Sequence, residues 1–314
     1  MTKSDITRVA VVGTGVIGAS WTAYFLAQGL DVVATDPAQG AEDHLRADVA
    51  RHWRSLEAMG LAPGASLDKL SFTSDLEAAV RNAQFIQENG PERLDIKADL
   101  FRRLDAAAPS DVVVASSSSG LLISQVQTAC RHPERIVLGH PFNPPHLIPL
   151  VEVVGGAGTA PEAIATALEF YAAIGKRPIH LRKEVAGHVA NRLQAALWRE
   201  AFHLIDLGVA TVSDIDTAIA HGPGLRWALL GPFLNLHLSG GRGGIDHVLN
   251  HLGPAIESWW RDLGDPSLTP ELRHKVSDGV REMLAGRSAE GMETQLDALL
   301  RDLLRAKSGS PDLP

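Results

Sequence analysis

The stretch RVAVVGTGVIGAS, residues 8–20, constrains the fold more than any other part of the chain. An apolar run reads as a buried strand. It meets Gly13, Gly15 and Gly18 in a Gly-x-Gly-x-x-Gly spacing, and VIGASWTAYFLAQG then reads as a helix ending on Gly29. Directly between a strand and a helix, that spacing acquires chemical meaning. Gly13 permits a tight turn, Gly15 lets the backbone approach a pyrophosphate, and Gly18 lets helix and strand pack closely. Val16 and Ile17 open the helix, whose free N–H groups and dipole favour an anion. The next strand, DVVATD, ends on Asp36, 23 residues after Gly13, where a carboxylate can bind the ribose hydroxyls of an adenosine. A 2'-phosphate would be repelled there, and DPAQG offers no adjacent Arg or Lys to receive one. The pattern predicts NAD rather than NADP. FAD shares the fingerprint, but the further strands and a His/Glu pair suited to proton transfer favour a nicotinamide.

From residue 8 to about 180, strand-like and helix-like segments alternate. The stretch 40–60 has helical apolar spacing with Gly60 as its stop. AQFIQE and DVVVASS read as strands on either side of a helix around RLDIKADLFRRLDAAA, and a helix at 161–174 precedes a last strand near RPIHLR. Alternation of this kind predicts a largely parallel sheet covered on both faces. After KEVAGH the strands stop and helical periodicity continues to about residue 303. The expected fold class is therefore α/β: a Rossmann-type dinucleotide-binding domain over 1–184, then a smaller all-α domain over 185–314. The tail AKSGSPDLP reads as disordered.

GHPFNPPHLIPLVEVVGG, residues 139–156, puts His140 and Glu152 on opposite sides of a proline-stiffened loop centred on residue 146. If the two flanking runs pair as an antiparallel hairpin-like unit, the two side chains become candidate cross-strand neighbours. A carboxylate beside an imidazole orients the ring and makes it a better base. His140 also ends a strand at the carboxyl edge of the expected sheet, where ligands of open α/β folds bind. Asn143, three residues on, can donate to a carbonyl oxygen. Ser119 ends the serine run SSSS after another strand; its structural alternative is to cap the following helix, the role expected of Ser116, Ser117 and Ser118.

The motifs GTGVIG, QENGPERLDIK, ASSSSG, GHPFNPP…LVEVV and GHVANRL, in this order over nearly the whole chain, resemble the 3-hydroxyacyl-CoA dehydrogenase superfamily. The resemblance implies that His140 is the catalytic base and acid and Glu152 its orienting partner. It also implies that Ser119, Asn143 and Asn191 contact the substrate oxygen or the nicotinamide region, and that Glu92 and Lys97 line the cofactor cleft. Oxidation would then pass the hydroxyl proton to His140 while hydride leaves the same carbon for the nicotinamide.

Within that superfamily, the second half (NRLQAALWREAFHLIDLGVAT, IDTAIAHGPGLRW, LSGGRGGIDHVLNHLGPA) is most similar to the carnitine-dehydrogenase branch. NPPHLIPLVE and NRLQ also resemble the L-gulonate 3-dehydrogenase branch and its lens-crystallin relatives, which keeps gulonate, and an NAD-binding structural role, as alternatives. An acyl-CoA enzyme would resemble GxPxGPFxLxDxxG where this chain has GPGLRWALLGPFLNLHLSGG, so a thioester substrate is disfavoured. A quaternary ammonium prefers aromatic faces. Trp198 lies seven residues after Asn191 on one helix face, and Trp227 follows Arg226, whose guanidinium suits a carboxylate. These three are the candidate substrate-binding residues, with packing or an interface as the other role for the tryptophans.

A net charge of −8 and a pI near 5.9 argue against a nucleic-acid partner. No apolar run is long enough to span a membrane, and MTKSDITRVAVVG carries no signal-peptide core. The single cysteine, Cys130, excludes an internal disulfide framework and fits a reducing, cytoplasmic setting as an inert thiol. His247 and His251 have ligand-like i,i+4 spacing but lack the HExxH glutamate, so no metal is expected. Apolar stripes such as LDALLRDLL predict a homodimer through the helical domain.

Overall fold

A computed structural model describes residues 6–310 and 313, the Glu290 side chain excepted. The expectations of no signal-peptide core and of a disordered tail fall partly on residues 1–5 and on 311, 312 and 314, which lie outside the described residues. Two compact units divide after Arg192.

The first unit is built on one eight-stranded sheet. Its strands are β1 (Arg8–Val12), β2 (Asp31–Thr35), β3 (Leu70–Thr73), β4 (Phe85–Glu88), β5 (Val113–Ser116), β6 (Ile136–Pro141), β7 (Leu150–Gly155) and β8 (Arg177–His180). Their order is β3-β2-β1-β4-β5-β6-β7-β8, parallel throughout except where β6 meets β7. Between them run α1 (Val16–Ala27), α2 (Ala41–Met59), α3 (Leu76–Val80), α4 (Leu94–Ala107), α5 (Ile123–Val126) and α6 (Pro161–Ala173). The strands read as nearly unbroken apolar runs because both faces are covered. Alternate side chains divide between two cores: Val9, Val11 and Phe85 join Trp21, Phe25 and Tyr171 on one face, and Ala10, Val12 and Ile86 join Phe101 and Leu104 on the other.

Helix α1 is buried on all sides from Gly18 to Ala27. It stops where Gly29, at φ +81°, sends its N–H to the Leu26 carbonyl while the Leu30 N–H returns to that of Phe25, the pairing of a Schellman turn. β3 and α3 are additions to the sequence reading, which assigned nothing between Gly60 and the β4 segment. Four and five residues are too few to show a period. Asp75 caps α3 by accepting from the Ala78 N–H.

The second unit is helical: α7 (Ala190–Asp206), whose first turn belongs to the first unit, α8 (Val212–Ala220), α9 (Pro223–Trp227), α10 (Pro232–Ser239), α11 (Gly244–Asp262), α12 (Pro270–Leu284) and α13 (Ala289–Ser308). No strand occurs in it among the described residues. α8 starts on a reciprocal capping box between Thr211 and Asp214. Residues 306–308, expected as disordered tail, instead finish α13. The apolar stripe carries the helix that far, and Arg305 and Lys307 sit where the helix dipole favours cations.

Among the described residues no helix is long and apolar enough to cross a membrane, and no group of three potential metal ligands occurs. His247 and His251 stack in parallel, 5.8 Å apart, on α11. Cys130 packs against the second core; burial and the nearby Asp105 carboxylate push its thiol up to about 12.

A buried ion pair closes one end of α4. Arg135 Nη2 lies 2.9 Å from Asp105 Oδ1, and Asp105 Oδ2 accepts from the backbone N–H groups of Arg131 and His132. Burial pushes the Asp105 carboxyl up, but these donors and the Arg135 charge outweigh it and hold the carboxyl below its ordinary value. The folded pKa is the lower one, so the stabilisation is complete above the unfolded value, about 4. Asp105→Ala is expected to cost about 3–5 kcal/mol at neutral pH by leaving a buried guanidinium unpaired. In urea titrations, the gap between wild type and variant should shrink as pH falls below about 4.

Candidate active site

Strands β1, β2, β4, β5 and β6 are parallel, so their carboxyl ends share one edge of the sheet. Onto that edge the chain delivers Gly13, Asp36, Asn89, the serine run and His140.

The glycine loop opens a cavity of about 580 Å³ lined by Gly13, Gly15, Asp36, Asn89, Gly90 and Ile96, among others. Each glycine answers a different demand. Gly13 has φ +84°, and a Cβ there would sit 2.8 Å from the Asn89 carbonyl carbon and oxygen. At Gly18 a Cβ would lie 1.9 Å from the Gly13 carbonyl oxygen. At Gly15 a Cβ would meet no protein atom within 4 Å, so what it would fill is open cleft. No side chain caps α1 and no acidic residue stands in its first turn, so its positive end is free for an anion. Val16 is exposed at that end, and Ile17 packs against the core. Asp36 braces the loop: Oδ2 accepts from the Thr14 N–H at 2.9 Å and Oδ1 from the Ala38 N–H at 2.9 Å. A pyrophosphate on the α1 N–H groups and a ribose at Asp36 fit this donor set.

The serine run is wired to two carboxylates and an amide, which corrects the helix-capping role expected of it. Ser116 donates to Glu88 Oε2 at 2.7 Å, and Ser117 to Asn89 Oδ1 at 2.7 Å. Ser118 donates to Glu92 Oε1 at 2.7 Å, and that oxygen also accepts from the Gly120 N–H. Helix α5 begins only at Ile123 and has no side-chain cap; the Ser118 hydroxyl accepts instead from the Leu121 N–H, ahead of the helix, at 3.0 Å. Burial raises the Glu92 carboxyl, but Ser118, the Gly120 N–H and the Lys97 charge outweigh it and keep Glu92 low. Lys97 does not face the cleft. It is buried, and its ammonium meets both Glu88 oxygens, at 2.7 and 2.9 Å, and the Gly90 carbonyl.

Antiparallel pairing of β6 with β7 places His140 directly opposite Glu152. His140 Nδ1 lies 2.9 Å from Glu152 Oε2, and the two residues are 5% and 0% exposed. The other carboxylate oxygen, Oε1, accepts from the backbone N–H groups of Val189, at 2.9 Å, and Ala190, at 3.0 Å, at the start of α7. Burial pushes the Glu152 carboxyl up, yet His140 and these two N–H groups outweigh it and hold it below its ordinary value. A carboxylate only accepts, so Nδ1 of His140 carries the proton and Nε2 keeps a lone pair.

The amide of Asn143 and the hydroxyl of Ser119 are exposed and, among the described residues, have no protein partner. Asn191 Nδ2 donates to the Ser119 carbonyl at 3.4 Å. The loop carrying Asn143 is held by Lys176, buried against Tyr24, whose ammonium bonds the carbonyls of Pro145 and Ile148. His146, in the same loop, bonds Ser20 of α1 at 2.8 Å through Nδ1. His188 is a member of the site not singled out in the sequence, although GHVANRL contains it. Its ring lies 5.0 Å from that of His140, and its Nε2 is 3.0 Å from the Ser118 carbonyl.

The three candidates of the second half are not gathered into one pocket. Arg226 lines a cavity of about 310 Å³ with Leu229, Leu230, Asn235, Leu238 and Ser239, and neither tryptophan lines it. Trp198 is 53% and Trp227 45% exposed.

The fold and this edge of the sheet define a nicotinamide-dependent dehydrogenase. The chain belongs to the 3-hydroxyacyl-CoA dehydrogenase family: it matches that family's NAD binding domain over residues 8–185 and its C-terminal domain over residues 187–277. It is an NAD-dependent oxidoreductase. Among its relatives, L-carnitine dehydrogenase of Streptomyces griseus is 52% identical over 307 residues, 98% of this chain and 92% of that one. L-carnitine dehydrogenase of Pseudomonas putida is 51% identical over 98% of this chain and 96% of its own. Among solved structures, 5-formyl-3-hydroxy-2-methylpyridine 4-carboxylic acid 5-dehydrogenase, an NAD+ dependent dismutase, superposes with a TM-score of 0.84 at 33% identity, covering 97% of this chain and 99% of that one.

Gly15 and Gly18 give a paired test. Gly18→Ala should lower stability by about 1–3 kcal/mol through overpacking. Gly15→Ser keeps a good helix N-cap. It should leave the thermal midpoint unchanged while weakening NADH binding at least tenfold, read by fluorescence titration. Equal NADH affinity in Gly15→Ser and wild type would remove the pyrophosphate from this loop.

Proposed function

We propose that the protein oxidises the 3-hydroxyl of L-carnitine to the ketone, 3-dehydrocarnitine, with His140 as base and Glu152 as its orienting acid. The observation that carries the chemistry is the Nδ1 to Oε2 bond of 2.9 Å between two buried side chains, which leaves His140 Nε2 as the free base. L-carnitine is supported by relatives of that name at 52% and 51% identity over nearly the full chain. When bound, NAD accepts the hydride from the carbon that bears the hydroxyl. It would be held by Gly13, Gly15, Val16, Ile17, Gly18 and Asp36, with Glu92 shaping the serine loop and Lys97 acting through Glu88.

His140 Nε2 takes the hydroxyl proton, and the Glu152 carboxylate stabilises the imidazolium that forms. The Asn143 amide and the Ser119 hydroxyl, which have no protein partner among the described residues, donate to the substrate oxygen, and Asn191 holds the Ser119 carbonyl. By chemical type Arg226 suits the substrate carboxylate and Trp198 and Trp227 suit the quaternary ammonium, although the three do not share a pocket.

We assign residues 1–184 to NAD binding in the cytoplasm, and 185–314 to substrate selection and homodimerisation. Trp259, Trp260, Leu296 and Leu299, all more than half exposed in the second unit, are the apolar side chains we assign to that interface. Light scattering should read twice 33.5 kDa.

The deciding assay follows NADH formation on L-carnitine, L-gulonate and an L-3-hydroxyacyl-CoA side by side. L-carnitine should turn over at least a hundredfold more efficiently by kcat/KM; a preference for either other substrate overturns the assignment. Oxidation needs neutral His140 and reduction needs it protonated, so the rate of reduction should peak at lower pH than oxidation. Identical pH profiles in both directions would exclude His140 as the proton carrier.

A further inference from the structure

His188 stands in an unusual backbone position. Among the described residues it is the only one other than glycine with positive φ, at +53°, and it follows Gly187 at +76°. Two consecutive left-handed residues turn the chain sharply, and the next two N–H groups, of Val189 and Ala190, converge on one oxygen, Glu152 Oε1. Glycine fills a left-handed position more easily than any other residue. A histidine kept there points to work done by its side chain.

The imidazole does two things that the turn alone does not. Its Nε2 faces the Ser118 carbonyl at 3.0 Å; a carbonyl only accepts, so Nε2 carries the proton. Ser118 in turn donates to Glu92, and Asn191 bonds the carbonyl of the next residue, Ser119. The ring also packs 5.0 Å from that of His140. It is buried, and its Nδ1 lone pair has no protein partner. The groups that face it are Glu152, Glu92 and His140; burial outweighs both carboxylates and holds the ring below the ordinary histidine value, so it stays neutral.

We propose that His188 is a positioning residue that holds the His140–Glu152 pair and the Ser118–Ser119 loop in one register. Its backbone aims two N–H groups at Glu152, and its side chain fixes the carbonyl beside Ser119. The proposal rests on the reading of His140 and Glu152 given above.

Four substitutions separate the backbone role from the side-chain role. His188→Gly keeps the turn and loses the imidazole, so kcat should fall about tenfold while NADH affinity stays within twofold. His188→Ala loses the imidazole and resists positive φ, so kcat should fall at least fivefold further. A packing role alone predicts the reverse, with Ala tolerated better than Gly. Added imidazole should restore part of the kcat of His188→Gly. Where His188→Ala does not fold, His188→Asn, which tolerates positive φ, should outperform His188→Phe, which does not.

The downfield proton resonance of His140 Nδ1–H gives a readout independent of substrate. It should persist in His188→Gly and weaken or vanish in His188→Ala, or in His188→Phe where Ala does not fold. Wild-type kcat in all variants, Ala turning over as fast as Gly, or an unchanged resonance throughout would overturn the positioning role. His140→Ala, measured in parallel, keeps the two claims apart. Activity that survives it sinks the base assignment, whereas its loss beside fully active His188 variants sinks only the inference about His188.

Discussion

One buried carboxylate organises the carboxyl edge of the sheet. Glu152 is removed from water, and a lone carboxylate there would be neutralised by its own desolvation. It keeps its charge because both oxygens are occupied, Oε2 by the His140 ring and Oε1 by the two N–H groups at the start of α7. The interaction also explains why β7 runs against β6. In a parallel strand the residue entering from the loop would come after a crossover, with nothing to set it opposite the last residues of β6. The antiparallel turn brings Glu152 back to the edge that His140 has just reached. The same carboxylate ties α7 to the sheet, so helix start, strand register and ring orientation are set together.

Elsewhere along that edge, negative charge is compensated before it can oppose an incoming anion. Glu88 is matched by Lys97, and Glu92 by the Ser118 hydroxyl and the Gly120 N–H. What stays uncompensated is positive in character: the bare amino end of α1. A cleft that binds a pyrophosphate needs this asymmetry, because acceptors lining the same loop would compete for its N–H groups. Asp36 is the exception, and its oxygens are already engaged by backbone N–H groups, one from Thr14 of the glycine loop and one from Ala38 of its own turn.

The parts of this arrangement that were legible in the sequence are those fixed by short-range rules. A glycine spacing between strand and helix, an aspartate at the next strand end, and twelve residues from His140 to Glu152 about a proline-rich loop are local patterns with one geometric outcome each. The direction of a long side chain obeys no such rule. Lys97 sits on the first turn of α4, where spacing alone allows it to face the cleft, and tertiary packing turns it inward onto Glu88. The serines at the end of β5 resembled caps because hydroxyls before a helix usually are, but Glu88, Asn89 and Glu92, from β4 and the loop after it, bond them instead. β3 was too short to carry a period. His188 was invisible for a different reason: nothing in the letters GHVANRL marks a left-handed histidine, and its importance appears only when the N–H groups that follow it are seen on Glu152.

Two imidazoles 5.0 Å apart raise the question of which one carries charge. They cannot share it cheaply, since a second cation at that distance in a water-poor site is repelled by the first. Their hydrogen bonds decide the matter. His188 gives its one N–H to a neutral carbonyl, which cannot offset a full charge, and burial drives its pKa down. His140 gives its N–H to an ionised carboxylate that is itself locked in place by two backbone donors. His188 therefore stays neutral, because burial outweighs the carboxylates that face it. The two rings thus differ in what they face, the Ser118 carbonyl for His188 and the Glu152 carboxylate for His140.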